Sequence, residues 1–210
     1  MPQIIEYSTV LESLTGQGLK SLYHNSGAFG FAEGTATISR GWIGPMDPSI
    51  RESARSLIRQ VPLPHEPRLA HLLIDAWQQF LPGVVWVMPK SHWAYELEFG
   101  SRDWLPGLLD NIGIDSGRLL PLNNGAAIEF SAGESALLEL FAAELLTRLL
   151  GSDFQAVFAG NGTICTIHQQ GQLWWTSTDA GIVEKLDQLL SGENANVQRP
   201  TSNVQRRNTE

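Results

Sequence analysis

Between Asp153 and Ser177 the chain reads DFQAVFAGNGTICTIHQQGQLWWTS. Three runs rich in β-branched and aromatic residues, Phe154–Ala159, Thr163–His168 and Gln172–Thr176, are separated by Asn161-Gly162 and by Gln170-Gly171. Asn-Gly between apolar runs favours the positive-φ turns that close a hairpin; Gln-Gly is a weaker version of the same signal. The stretch therefore predicts a three-strand antiparallel meander. Successive strand residues face opposite sides of a sheet, so Trp174 and Trp175 cannot share a face. If Trp175 joins the core with Leu173, Trp174 belongs to the other face. There it is a stacking platform or partner contact, unless the N-terminal segment or a second subunit covers that face. By the same rule Cys165 and His168, three residues apart, point away from each other and make no nucleophile–base pair.

Helical signals flank the meander. Ser131-Ala-Gly-Glu134 is a capping box in front of an apolar helix containing Leu137, Leu138, Phe141, Leu145 and Leu149, with Glu144 and Arg148 as a favourable i,i+4 pair. Thr178 or Asp179 caps a last amphipathic helix with Ile182, Val183, Leu186, Leu189 and Leu190 inward. Further upstream, Leu69, Leu72, Leu73, Ala76, Trp77 and Phe80 lie on one helical face that ends at Pro82-Gly83. Asp47-Pro48 reads as a helix start, Asp103 opens a helix through Leu109, and Thr9-Val-Leu-Glu12 reads as a capping box for a short helix closed by Gly16. Strand-like runs occur at Thr35–Ser39, Val84–Met88 and Ala126–Phe130. Irregular alternation of helices with hairpin-linked strands predicts an α+β fold: a single domain over 1–191, mainly an antiparallel sheet with helices packed on one face, the C-terminal meander being followed by a helix. From Gly192 on, the chain is polar and carries Arg199, Arg206 and Arg207 without periodicity, so 192–210 is expected to be a disordered tail.

His92 to Phe99, HWAYELEF, alternates strictly. Read with period two, Trp93, Tyr95, Leu97 and Phe99 face inward and His92, Glu96 and Glu98 face outward on a strand. These residues, with His168 and Trp174, are the candidate ligand-binding set. The rise of about 3.3 Å per residue puts His92 and Glu96 roughly 13 Å apart, too far to share a metal ion. Glu96 and Glu98, about 6.6 Å apart by the same rise, could share an ion with help from His168 or Glu129. They also overlap the roughly 5–9.5 Å carboxylate separations of glycoside hydrolases. The plain alternative is a solvated sheet face, on which Glu and His are ordinary residues.

Composition excludes more than it assigns. With a formal charge of −8, the chain lacks the basic footprint of a phosphate-led nucleic-acid binder. Charged residues make up 17% and hydrophobics 42%, a balance that favours a globular body over disorder. One cysteine allows neither an intrachain disulfide nor a Cys-based zinc cluster. The N-terminal residues carry no secretory pattern, and no run of about 18 apolar residues suggests a membrane span; the expectation is a soluble cytoplasmic protein. Arg51, Arg55 and Arg59 recur every four residues as a basic stripe, read as a solvated helix face. The glycines of Gly27–Gly34 match no phosphate-binding loop, and HExxH, GxSxG and EF-hand patterns are absent. No catalytic residue, metal site or cofactor is implied. The reading that follows is a non-catalytic binding or interaction module for an unknown small molecule or protein partner. The alternatives are a carbohydrate hydrolase using Glu96 and Glu98, and a structural homo-oligomer using the sheet face as its interface.

Overall fold

In the computed structural model, which describes residues 1–22, 28–32, 34–43, 58–60, 66–122, 126–169 and 171–197, the meander forms as the turn signals require. Strands β8 (Phe154–Phe158), β9 (Thr163–His168) and β10 (Gln172–Ser177) pair antiparallel, with Phe158 opposite Thr163 and His168 opposite Gln172. Gly160 and Gly162 take positive φ of 91° and 54° in the first turn. A side chain at Gly162 would also come within 2.7 Å of the Thr178 hydroxyl. Glycine thus answers both the backbone twist and the close approach.

Numbered in chain order, the earlier strands are β1 (Gln3–Ile5), β2 (Leu19–Ser21), β3 (Phe29–Phe31), β4 (Ile38–Ile43), β5 (Ile58–Gln60), β6 (Val85–Pro89) and β7 (Ala127–Phe130). The helices are α1 (Tyr7–Thr15), α2 (Glu66–Phe80), α3 (Trp93–Tyr95), α4 (Leu105–Asn111), α5 (Ser116–Leu119), α6 (Ser135–Arg148) and α7 (Ala180–Val197). Eight strands form one sheet in the order β1-β7-β6-β8-β9-β10-β4-β5, antiparallel except between β4 and β5, while β2 and β3 form a separate two-stranded sheet. The fold is α+β, as the sequence indicates.

The sheet has two unequal apolar faces. On the first, α2, α6 and α7 enclose a core in which Phe130, Phe141, Phe154, Phe158, Trp93 and Trp175 are fully buried. Their rings meet edge to face or stacked: Trp93–Phe154 at 5.8 Å, Phe141–Phe154 at 6.4 Å, Phe158–Trp175 at 5.4 Å. On the second, Val10 and Leu14 of α1, with Leu19 and Phe29 of the small sheet, pack on Trp86, Met88, Val157 and Ile164. The N-terminal segment is what covers this face. Leu173 and Trp175 point into the first core and Trp174 to the second face, as strand alternation demands.

Local signals set several boundaries. The Ser131 amide and hydroxyl both donate to Glu134 Oε2, at 2.7 and 2.9 Å, ahead of α6. Asp179 accepts from the Gly181 amide at 2.8 Å at the start of α7. Arg148 Nε donates to Glu144 at 2.6 Å. Burial is the largest single influence on Glu134 and pushes its carboxyl up, but the terminal ammonium of Met1 and the Ser131 hydrogen bonds together leave it below its usual range.

Four expectations need correction. Tyr7 rather than Thr9 begins α1, with Glu6 at the N-cap, although Gly16 does close the helix. Ile58–Gln60 is a strand parallel to β4, so Arg59 does not lie on the helix face expected to carry Arg51, Arg55 and Arg59; residues 44–57, with Asp47-Pro48, Arg51 and Arg55, lie outside the described residues. The last helix continues past Gly192 to Val197, and the rest of the expected tail, 198–210, lies outside the described residues.

The fourth correction bears on function. His92–Phe99 is not a strand: β6 ends at Pro89, Trp93–Tyr95 is helical, and Glu96–Gly100 forms a π-turn in which the Ser101 amide donates to Glu96 O at 2.8 Å. The alternating residues are equally spaced for i,i+4 contacts, and those contacts win. Trp93 and Leu97 are buried, whereas Tyr95 and Phe99 lie outside with ring centroids 6.4 Å apart. The Trp93 indole supplies the anchor, donating to Ala126 O at 2.6 Å from inside the core.

Cys165 sits in the first core with no exposure, and burial pushes its thiol well above the ordinary range. An aromatic disulfide reagent is therefore expected to leave the native protein unmodified over minutes and to titrate one thiol once urea unfolds it. Fast stoichiometric reaction of the folded protein would show that β9 is not packed as described.

Candidate functional site

The helical turn disperses the expected His92/Glu96/Glu98 group. His92 is exposed and edges onto Tyr95 at 6.3 Å. Glu96 is fully buried; its Oε1 accepts from the Ser91 hydroxyl at 2.5 Å and its Oε2 from the Ser101 hydroxyl at 3.0 Å. Glu98 is exposed. A carboxylate locked between two serines and another in solvent do not flank a common substrate. Glu129 is also committed, accepting from Trp86 Nε1 at 2.8 Å and from Gln3 Nε2 at 2.6 Å. Among the described residues, no three His, Cys, Asp or Glu side chains converge as a metal site would need.

His168 and Trp174 do belong to one place, the second face of the sheet. Strand register sets Trp174 opposite Thr166, and Gln172 opposite His168. On that face, beyond the ground covered by α1, a cleft of about 470 Å³ opens between the β2–β3 sheet and strands β8, β9 and β10. Its volume falls within the ~300–1,000 Å³ typical of small-molecule sites. Leu22, Phe29, Phe31 and Ile164 give it an apolar wall. Thr35, Thr37, Thr166 and Thr176 bring hydroxyl groups. Lys90 is the only charged side chain among the described lining residues. Trp174 lies beside Thr166 and Thr176 on the same face, half-buried, its Nε1 donating to Gln172 Oε1 at 2.8 Å.

Two sets of interactions build the cleft. Gln155, from β8, behaves as a strand fragment turned sideways: its Oε1 accepts from the Phe29 amide at 2.8 Å and its Nε2 donates to Phe29 O at 3.0 Å. That pair of bonds fixes the small sheet above the large one. Gly30 makes room for the wall, since a Cβ there would meet Leu22 Cδ2 at 2.7 Å. At the polar end, Asp153 gathers donors from adjacent strands. Its Oδ2 accepts from Lys90 Nζ at 3.2 Å, its Oδ1 from the Gln169 amide at 3.2 Å, and His168 Nε2 stands 3.8 Å from Oδ1.

His168 and Trp174, named from the sequence, share the sheet face with the cleft but do not line it, and the sequence did not single out Lys90, Asp153, Gln155 or the threonines. The β-strand members were within reach. Once Asn161-Gly162 pairs β8 with β9, alternation alone places Gln155, Thr166, His168, Gln172, Trp174 and Thr176 on one face. The contribution of Phe29, Phe31, Thr35 and Thr37 had no local signal, because it comes from a docking between segments more than a hundred residues apart.

No protein-family model matches this chain, and the searches of curated proteins and of solved structures return no match. Among the described residues no helix is long and apolar enough to cross a membrane.

Proposed function

We propose that the protein acts by binding rather than by catalysis, and that a small molecule occupies the cleft between the β2–β3 sheet and strands β8, β9 and β10. The observation that carries this reading is the cleft itself: a concavity with an apolar wall, several hydroxyls and one cation, held by paired bonds from Gln155. A concave, mostly preformed site with few placed polar groups is the common design of ligand pockets. Among the described residues, Cys165, Glu96 and Glu98 do not line it, and the charged groups at its polar end are engaged with one another. Cys165 faces the opposite core, Glu96 is held by serines, and His168 is directed to a carboxylate. The paired-carboxylate hydrolase finds no favouring observation, since Glu96 and Glu98 line neither a shared wall nor this cleft.

A fragment screen read by amide chemical shifts tests the proposal. Hits are expected to cluster on Phe31, Thr166 and Thr176, and to be lost in Thr166→Trp, which fills the floor. Hits that gather instead around Tyr95 and Phe99, or that ignore the Thr166 substitution, would overturn it.

A further inference from the structure

Resting on that reading, the polar end of the cleft narrows the ligand class: we infer that it takes a molecule with an aromatic or aliphatic body and a single negative charge, a monocarboxylate, whose head reaches Lys90. Lys90 is the one described lining residue that can pair with an anion, and its ammonium already contacts Asp153 at 3.2 Å. Asp153 is itself held from β9 by the Gln169 amide, so it stays beside the ammonium when a ligand arrives. The positive charge of Lys90 and the negative charge of Asp153 balance.

This balance discriminates by charge. A monoanion can take up one free direction of the ammonium, which has three donors, at modest repulsion from Asp153. A phosphate monoester carries close to two charges at neutral pH, and the described lining offers no second cation to offset them. Dianions are therefore penalised. A neutral head avoids repulsion but forgoes the charge-assisted hydrogen bond, which is roughly twice as strong as a neutral one. The body of the ligand lies against Phe29, Phe31, Leu22 and Ile164, while the threonine hydroxyls donate to or accept from whatever polar atoms it carries.

The test uses three probes with one body: 3-phenylpropionate, 3-phenylpropanol and 3-phenylpropyl phosphate, titrated at pH 7.5 and read on the amides of Thr166 and Thr176. The acid is expected to bind about tenfold more tightly than the alcohol and than the phosphate, a factor worth about 1.4 kcal/mol. Lys90→Met should erase the acid's advantage and leave the alcohol unchanged, and Lys90→Arg should keep it. Asp153→Asn, by freeing the ammonium, should narrow the gap between acid and phosphate; unfolding midpoints confirm that each variant is folded. If the phosphate binds best, or if the acid and the alcohol bind alike with no dependence on Lys90, the charge rule is wrong while the cleft stands. If none of the three shifts Thr166 or Thr176, both the rule and the binding reading fall.

Discussion

Trp93→Ala is expected to destabilise the protein by about 3–5 kcal/mol, the range for removing a large buried aromatic. The indole is fully buried, packs edge to face against Phe154 at 5.8 Å, and donates to Ala126 O at 2.6 Å. Ala126 precedes β7, and Phe154 begins β8. One side chain therefore ties the turn after β6 to strands on both sides of β6. Loss of the ring leaves a cavity, and loss of its N–H leaves a buried carbonyl short of a partner. Trp93→Phe separates the two effects: it keeps most of the packing and removes only the hydrogen bond, at about 1–3 kcal/mol. Urea unfolding of the three proteins measures both numbers. A cost below about 1 kcal/mol for the alanine variant, the level of an ordinary surface change, would mean that this turn is not anchored in the core.

That turn is also where sequence and structure part. The residues 93, 95, 97 and 99 satisfy two periodicities at once, period two for a strand and i,i+4 for a helix. Nothing within eight residues can choose between them. The choice is made by partners far along the chain: Ala126 accepting from the Trp93 indole, and Asp153 O accepting the Lys90 amide at 2.8 Å just where β6 ends. The meander was legible for the opposite reason. Its turns carry glycines at positions that require positive φ, and its alternation has no helical reading, so local chemistry and tertiary packing agree. The same contrast governs the site. Trp174 could be assigned to a face from its neighbour Trp175 alone. Glu96 looked available because a strand would have exposed it; the π-turn instead carries it inward, where the hydroxyls of Ser91 and Ser101 satisfy it. A buried carboxylate with two local serines is invisible to a pattern that assumes extended backbone.

The small sheet of β2 and β3 depends on Gln155 more than on its own area, and Gln155→Leu should expose that dependence. The substitution roughly conserves volume, so packing changes little. It deprives the Phe29 amide and carbonyl of both partners in a site where Phe29 and Gln155 are almost fully buried. Each buried backbone group left unpaired costs about 1–3 kcal/mol. The loss need not appear as global unfolding, because the first core of the large sheet does not use Gln155. Hydrogen exchange can tell local from global loss. The Phe29 amide is expected to exchange about a hundredfold faster, equivalent to roughly 2.8 kcal/mol, while the amides of Ala156 and Ile167 in the large sheet keep their protection. Fragment hits at Thr166 and Thr176 should weaken in parallel, since the wall opposite them is no longer held. If the Phe29 amide stays protected, other contacts must dock the small sheet and the cleft is not built by this residue. If all strands lose protection together, the two faces of the sheet unfold as one unit, and the ligand would stabilise the whole fold rather than only the wall it touches.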